Sequence, residues 1–175
     1  EAIFNGLKRL EYRGYDSWGI AILNENKIYQ YKNIGEIKKD DKLTKLQDGI
    51  VGIGHTRWAT HGGVTVKNAH PHLSSHNEFT LVQNGIVENF DSLKKELLKK
   101  KEKFVSQTDT EVIVKLIEQE LVKKKTLKDA IVTVFKRLEG RNTIAVLDSK
   151  SGKIYAVRNG SPLVLGVAED GTYLA

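Results

Sequence analysis

Apolar residues recur at helical spacing at the start of the chain, where Ile3, Phe4, Leu7 and Leu10 share one side while Lys8, Arg9 and Glu11 lie elsewhere. Residues 1 to 13 therefore read as the end of a longer helix with one buried face. The run Trp18-Gly19-Ile20-Ala21-Ile22-Leu23 suits a central strand, Asn24-Glu25-Asn26 a tight turn, and Ile28-Tyr29-Gln30-Tyr31-Lys32 alternates like a hairpin partner. Residues 36 to 49 are polar and weakly helical. Ile50-Val51-Gly52-Ile53-Gly54 is a short strand whose glycines permit close backbone approach. No period governs Thr56 to His76, and its glycines and histidines point to an ordered functional loop. Phe79-Thr80-Leu81-Val82 is the next strand, and the chain is expected to turn after Asn84-Gly85.

Three helices follow. Leu93, Leu97 and Leu98 give a lysine-coated amphipathic helix ending near Lys103. Thr108-Asp109-Thr110-Glu111 has capping-box spacing, and the helix it opens carries Val112, Ile113, Leu116, Ile117 and Leu121 along one stripe. Thr126 with Asp129 repeats the cap, ahead of Leu127, Ala130, Ile131, Val134, Phe135 and Leu138, with a stop at Gly140. Thr143 to Leu147, Ile154 to Val157 and Pro162 to Val167 return to strands, and Thr172 to Ala175 begins another. Strands at both ends with helices gathered between them predict an α+β layered fold.

A length of 175 residues fits one domain with one sizeable core. There is no bilayer-length apolar run, and the first residues lack the order of a secretory signal, so a cytoplasmic location is the default expectation. The net charge of +6 comes largely from Lys94-Lys95, Lys99-Lys100-Lys101, Lys103 and Lys123-Lys124-Lys125. These are lysine clusters without interleaved aromatics, read as a solvated face rather than a nucleic-acid surface. The chain has neither cysteine nor methionine and opens inside a helical pattern, which reads as a fragment or a trimmed chain.

The chemistry concentrates in His55-Thr56-Arg57-Trp58-Ala59-Thr60-His61-Gly62, Asn68-Ala69-His70-Pro71-His72 and Gln83-Asn84-Gly85-Ile86-Val87-Glu88-Asn89. Arg57, after a strand, can hold a carboxylate by two parallel hydrogen bonds or pair with a surface acid. Asp109 either satisfies backbone donors at its helix start or receives a substrate ammonium. Together the two would bracket the zwitterionic end of an amino acid. Asn84-Gly85 is either a turn or a pair of donors, amide and backbone N–H, aimed at an oxyanion, where one donor is worth about 3 to 4 kcal/mol. The five histidines lack metal-ligand spacing, so no metal and no cofactor are expected, and His70-Pro71-His72 is read as shaping a loop with imidazoles bonded to backbone.

In this order, with Leu10-Glu11-Tyr12-Arg13-Gly14-Tyr15-Asp16-Ser17 ahead of them, these segments make the chain similar to a known family. It resembles the N-terminal glutaminase domain of the glutamine:fructose-6-phosphate aminotransferases, class II amidotransferases of the N-terminal-nucleophile hydrolase superfamily. The resemblance implies a four-layer αββα sandwich of two antiparallel sheets covered by helices, here lacking its first strand, as a single domain over residues 1–175 truncated at both ends. It implies glutamine held by Arg57 and Asp109 with contacts from Trp58, Thr60, His61 and Gly85. It further implies an oxyanion stabilised by Asn84 and Gly85, and support from Arg13 and His70. As partners it implies L-glutamine, separate sugar-phosphate isomerase domains that aminate fructose 6-phosphate, and a homodimer formed through those domains, with no nucleic acid and no membrane.

The family's nucleophile is the thiol of an N-terminal cysteine whose own α-amine manages the proton. No cysteine occurs here, and Ser17 is internal with no freed amine beside it. The chain as written is therefore expected not to hydrolyse glutamine. The alternative is a non-catalytic glutaminase-like domain that binds an amino acid or a partner protein.

Overall fold

The computed structural model describes residues 1–44, 46, 48–123 and 126–175, so Lys45, Gln47, Lys124 and Lys125 of the segments above lie outside the described residues. In chain order the elements are α1 (Ala2–Leu10), a 3₁₀ turn (Glu11–Arg13), β1 (Ser17–Asn24), β2 (Lys27–Ile34), α2 (Asp41–Thr44), β3 (Val51–Arg57), β4 (His72–Leu73) and β5 (Phe79–Gly85). They continue as α3 (Phe90–Lys99), α4 (Asp109–Val122), α5 (Leu127–Phe135), β6 (Asn142–Asp148), β7 (Ile154–Asn159), β8 (Leu165–Ala168) and β9 (Gly171–Leu174).

One antiparallel sheet has the order β2-β1-β3 and a second β4-β5-β6-β7, while β8 and β9 form a separate hairpin. Glu25 and Asn26 both have positive φ, the two-residue turn that suits the twist between β1 and β2. Period-two alternation decides which side each residue serves. On the outer face of the first sheet, Trp18, Ile20 and Tyr31 pack with Leu7, Ile3 and Phe4 of α1. Gly52 and Gly54 face the same way, and a Cβ at either would stand 2.7 or 2.6 Å from Ile3, so their bareness lets α1 lie close on β3. On the outer face of the second sheet, Phe79, Leu81, Ile144 and Val146 pack with Leu93 and Leu97 of α3, Val112, Ile113, Leu116 and Ile117 of α4 and Ala130, Ile131 and Val134 of α5. Between the sheets lie Ala21, Ile53, Leu147 and Val82. The layering is helix, sheet, sheet, helix, as the sequence predicts. None of the described helices is long and apolar enough to cross a membrane.

Several boundaries differ from the sequence expectation. β5 continues past Val82 through Gly85, paired to Asn142, so Asn84-Gly85 ends a strand rather than making a turn. α3 stops at Lys99, with Lys101 at φ 65°, and leaves Leu98 52% exposed, because Leu97 and Leu98 are about 100° apart around the axis and only one can face the core. α5 ends at Phe135, before Gly140. The cap of α4 forms as expected, Thr108 Oγ1 accepting from Glu111 N at 3.3 Å. The Glu111 carboxylate does not reach back to Thr108, however; it accepts from Val105 N (2.9 Å) and Ser106 N (2.7 Å).

Candidate functional site

The seam between the sheets changes character along its length. Across β1 and β3 the facing pairs run Ala21 with Ile53, then Gly19 with His55, then Ser17 with Arg57. On β5 and β6 the inward row runs from Thr80 with Leu147 through Val82 with Ala145 to Asn84 with Thr143. Hydrocarbon at one end thus gives way to hydrogen-bonding groups at the other, and His55 Nε2 meets Asn84 Oδ1 across the seam at 2.8 Å.

Arg57 is only 4% exposed. Its guanidinium donates to the carbonyls of His61, Gly62 (3.4 Å) and Gly63 (3.3 Å), which satisfy a charge that burial would otherwise penalise. Burial lowers its pKa, while the charges of Asp109 and Asp16 oppose that shift. Asp109, also 4% exposed, opens α4 and accepts from Val87 N (2.9 Å) and Gln83 Nε2 (3.4 Å). Asp109 and Arg57 therefore sit near enough to influence each other, though loop carbonyls, not a carboxylate, occupy the guanidinium.

Asn84 and Gly85 are exposed at the end of β5. Gly85 has φ 116°, and a Cβ there would lie 2.0 Å from the Arg141 carbonyl oxygen, so this conformation requires glycine. Trp58 and Thr60 are exposed; the indole rests on Tyr15 with ring centroids 5.7 Å apart. The His61 ring packs on Phe90 (5.3 Å), with Nδ1 buried and unbonded among the described residues. The Arg13-to-Ser17 segment underlies this loop: Asp16 Oδ2 accepts from Ala59 N (2.8 Å), and Gly14 stands against the Thr56 carbonyl. The Arg13 side chain is exposed and makes no hydrogen bond or ion pair among the described residues.

Three imidazoles cluster behind Asn84: His55 and His70 lie tilted against each other with centroids 4.3 Å apart, and His72 meets His70 edge-on at 5.0 Å. His70 Nε2 pairs with Thr110 Oγ1 (3.0 Å) and its Nδ1 accepts from Gln83 N (3.4 Å); His72 Nε2 pairs with Thr108 Oγ1 (3.1 Å). Threonine hydroxyls at the α4 cap and in its first turn thus take most of the role that the sequence reading gives to backbone. Burial pushes His55 down to about 4, against the Asn84 amide and Gln83 backbone, and holds His70 and His72 well below the ordinary histidine value. These rings are neutral at neutral pH. The sequence reading names His55 but gives it no role. Its contact with Asn84, 29 positions away, is invisible to local pattern.

A model of the glutamine amidotransferase domain family matches residues 55–175. The chain is 46% identical over 175 residues to the glutamine–fructose-6-phosphate aminotransferase (isomerizing) of Bacillus thuringiensis subsp. konkukian (strain 97-27), a match covering 97% of this chain and 28% of that relative. Among solved structures, the glutamine phosphoribosylpyrophosphate amidotransferase from B. subtilis, complexed with ADP and GMP, superposes with a TM-score of 0.85 at 27% identity, over 98% of this chain and 38% of that one. The allosteric regulatory enzyme of purine biosynthesis gives 0.88 at 29% identity over the same shares. The two-sheet, helix-covered sandwich is common to these structures.

Proposed function

Because the chain belongs to the glutamine amidotransferase domain family, as a class II domain related to glutamine–fructose-6-phosphate aminotransferase, we propose that it binds L-glutamine between Arg57 and Asp109 and presents the side-chain amide to Asn84 and Gly85. The observation that carries this reading is the polar end of the seam, where a buried guanidinium under the influence of a buried carboxylate lies at the same end as an exposed asparagine amide and a glycine that excludes any side chain. The substrate carboxylate replaces the carbonyls of residues 61–63 on Arg57. The ammonium meets Asp109. Trp58, Thr60 and His61 line the approach, and Arg13 and His70 support it.

In the glutaminase reaction a thiol adds to the side-chain amide carbon, and its electron pair displaces the carbonyl pair onto oxygen. Asn84 Nδ2 and the Gly85 N–H donate to that oxygen. The carbonyl re-forms as the amide nitrogen takes a proton and leaves as ammonia, and water then cleaves the thioester to glutamate and free thiol. The 175 residues contain no cysteine, so they supply binding and oxyanion donors but not the attacking group. In the parent enzyme the ammonia passes to sugar-phosphate isomerase domains for amination of fructose 6-phosphate. Those domains also form the homodimer. On its own, the chain acts as an amino-acid-binding module.

Calorimetry with L-glutamine tests the clamp. Arg57→Ala should weaken binding at least about tenfold, since a charged hydrogen-bonded pair is worth roughly 1.5 to 3 kcal/mol. Equal affinity in both chains, each shown to be folded by circular dichroism, would remove Arg57 as the carboxylate anchor.

A further inference from the structure

A side-chain amide has two ends of nearly equal shape and opposite polarity, so an asparagine that serves as an oxyanion donor must be held one way round. With Nδ2 outward it stabilises the developing charge; reversed, it sets a carbonyl oxygen against that charge. At Asn84 the hydrogen bond that distinguishes the ends is the 2.8 Å contact between Oδ1 and His55 Nε2. Among the described residues, Nδ2 makes no hydrogen bond and Asn84 is exposed, which leaves that end available to a ligand.

The structure assigns to His55 the part of a positioning residue: its imidazole donates from Nε2 to Asn84 Oδ1 and thereby turns Nδ2 toward the glutamine carbonyl. This assignment rests on reading Asn84 as an oxyanion donor. It requires a neutral ring protonated on Nε2, and the surroundings favour that tautomer. His55 Nδ1 is buried without a hydrogen-bond partner among the described residues, and an unpaired lone pair there is tolerated better than a stranded N–H. The ring is fixed in turn. His70 packs on it at 4.3 Å, itself held by Thr110 Oγ1 and Gln83 N, with His72 behind and the Arg57 and Lys32 charges nearby to oppose protonation of the group. The first turn of α4 thus sets the angle of an amide at the end of β5 through two imidazoles.

Two measurements test the assignment. Long-range ¹H–¹⁵N NMR of the 175-residue chain at neutral pH should show His55 protonated on Nε2; protonation on Nδ1 would overturn it, with no variant required. Calorimetry then compares L-glutamate, whose γ-carboxylate oxygen stands where the oxyanion forms, with L-norvaline, which has the same amino-acid head and no such oxygen. His55→Phe should weaken glutamate binding about tenfold while norvaline affinity stays within about twofold, and His55→Gln, which can still donate, should recover most of the loss. An unmoved glutamate affinity, or equal weakening of both ligands, refutes the positioning role. If neither amino acid binds the unaltered chain, the glutamine-site reading itself falls, an outcome separate from a wrong tautomer.

Discussion

Acid should destabilise this fold well before its carboxylates begin to protonate. His55 titrates at about 4 when folded against 6.5 in the unfolded chain. The unfolded state therefore takes up a proton as pH falls through 6.5, while the folded state does not until near 4, so stability is full above 6.5 and declines below it. Between pH 7.5 and 5, linkage gives a loss of about 2 kcal/mol from His55 alone, out of roughly 5 to 15 kcal/mol available to a typical domain. His70 and His72, also lowered, add to the loss in the same direction. Glu1, Glu36 and Glu96 are held below the ordinary carboxylate value and stay ionised in this window, so the histidine effect stands apart from theirs. Urea titrations at the two pH values should show a midpoint lower by about 1 M or more at pH 5, taking a slope of roughly 2 kcal/mol/M. In His55→Gln the difference should shrink by the His55 share. A midpoint that does not move between pH 7.5 and 5, or that moves equally in the variant, would refute the claim that burial of these rings governs acid stability.

Gly85→Ala should cost roughly 2 to 4 kcal/mol by thermal unfolding, because φ 116° is strained for any side chain and the new Cβ meets the Arg141 carbonyl; a melting temperature within a degree of the parent would contradict that strain. Thr108→Ala removes the α4 cap and also the partner of His72 Nε2, a loss of about 1 to 3 kcal/mol in urea unfolding. Here Thr108→Ser should retain most of the stability, and failure to do so would shift the weight from the hydroxyl to the methyl. Ammonia release from glutamine by the purified 175-residue chain should not exceed the buffer blank in a coupled assay, and turnover abolished by Arg57→Ala would show a nucleophile other than a thiol.

Much of the layering was legible in the alternation of residues. The glycines of Ile50 to Gly54 state in the sequence that another element can come close there, and the structure lays α1 on Gly52 and Gly54. The helix caps at Thr108 and Thr126 follow from local chemistry, and both hydroxyls accept from the N–H three positions on. The end of β5 was less legible. Asn84-Gly85 carries turn propensity, and only pairing with Thr143 and Asn142, almost sixty positions away, keeps it in the sheet. The same holds for the imidazole cluster: His55 lies on β3, His70 in a loop and His72 on β4, and no periodicity relates them. Arg57 and Asp109 could be named from residue type and position, but the carbonyls now filling the guanidinium depend on how residues 61–63 fold back.

The hydrocarbon half of the seam has a mechanical consequence for the polar half. Ile53, Ala21, Val82 and Leu147 act as the shim that sets the gap between two jaws. Thinning that shim, as in Ile53→Val or Leu147→Ala, lets the jaws settle closer and displaces both partners of the 2.8 Å contact at the mouth. The position of an amide at the mouth is then governed partly by the volume of side chains that do not touch it.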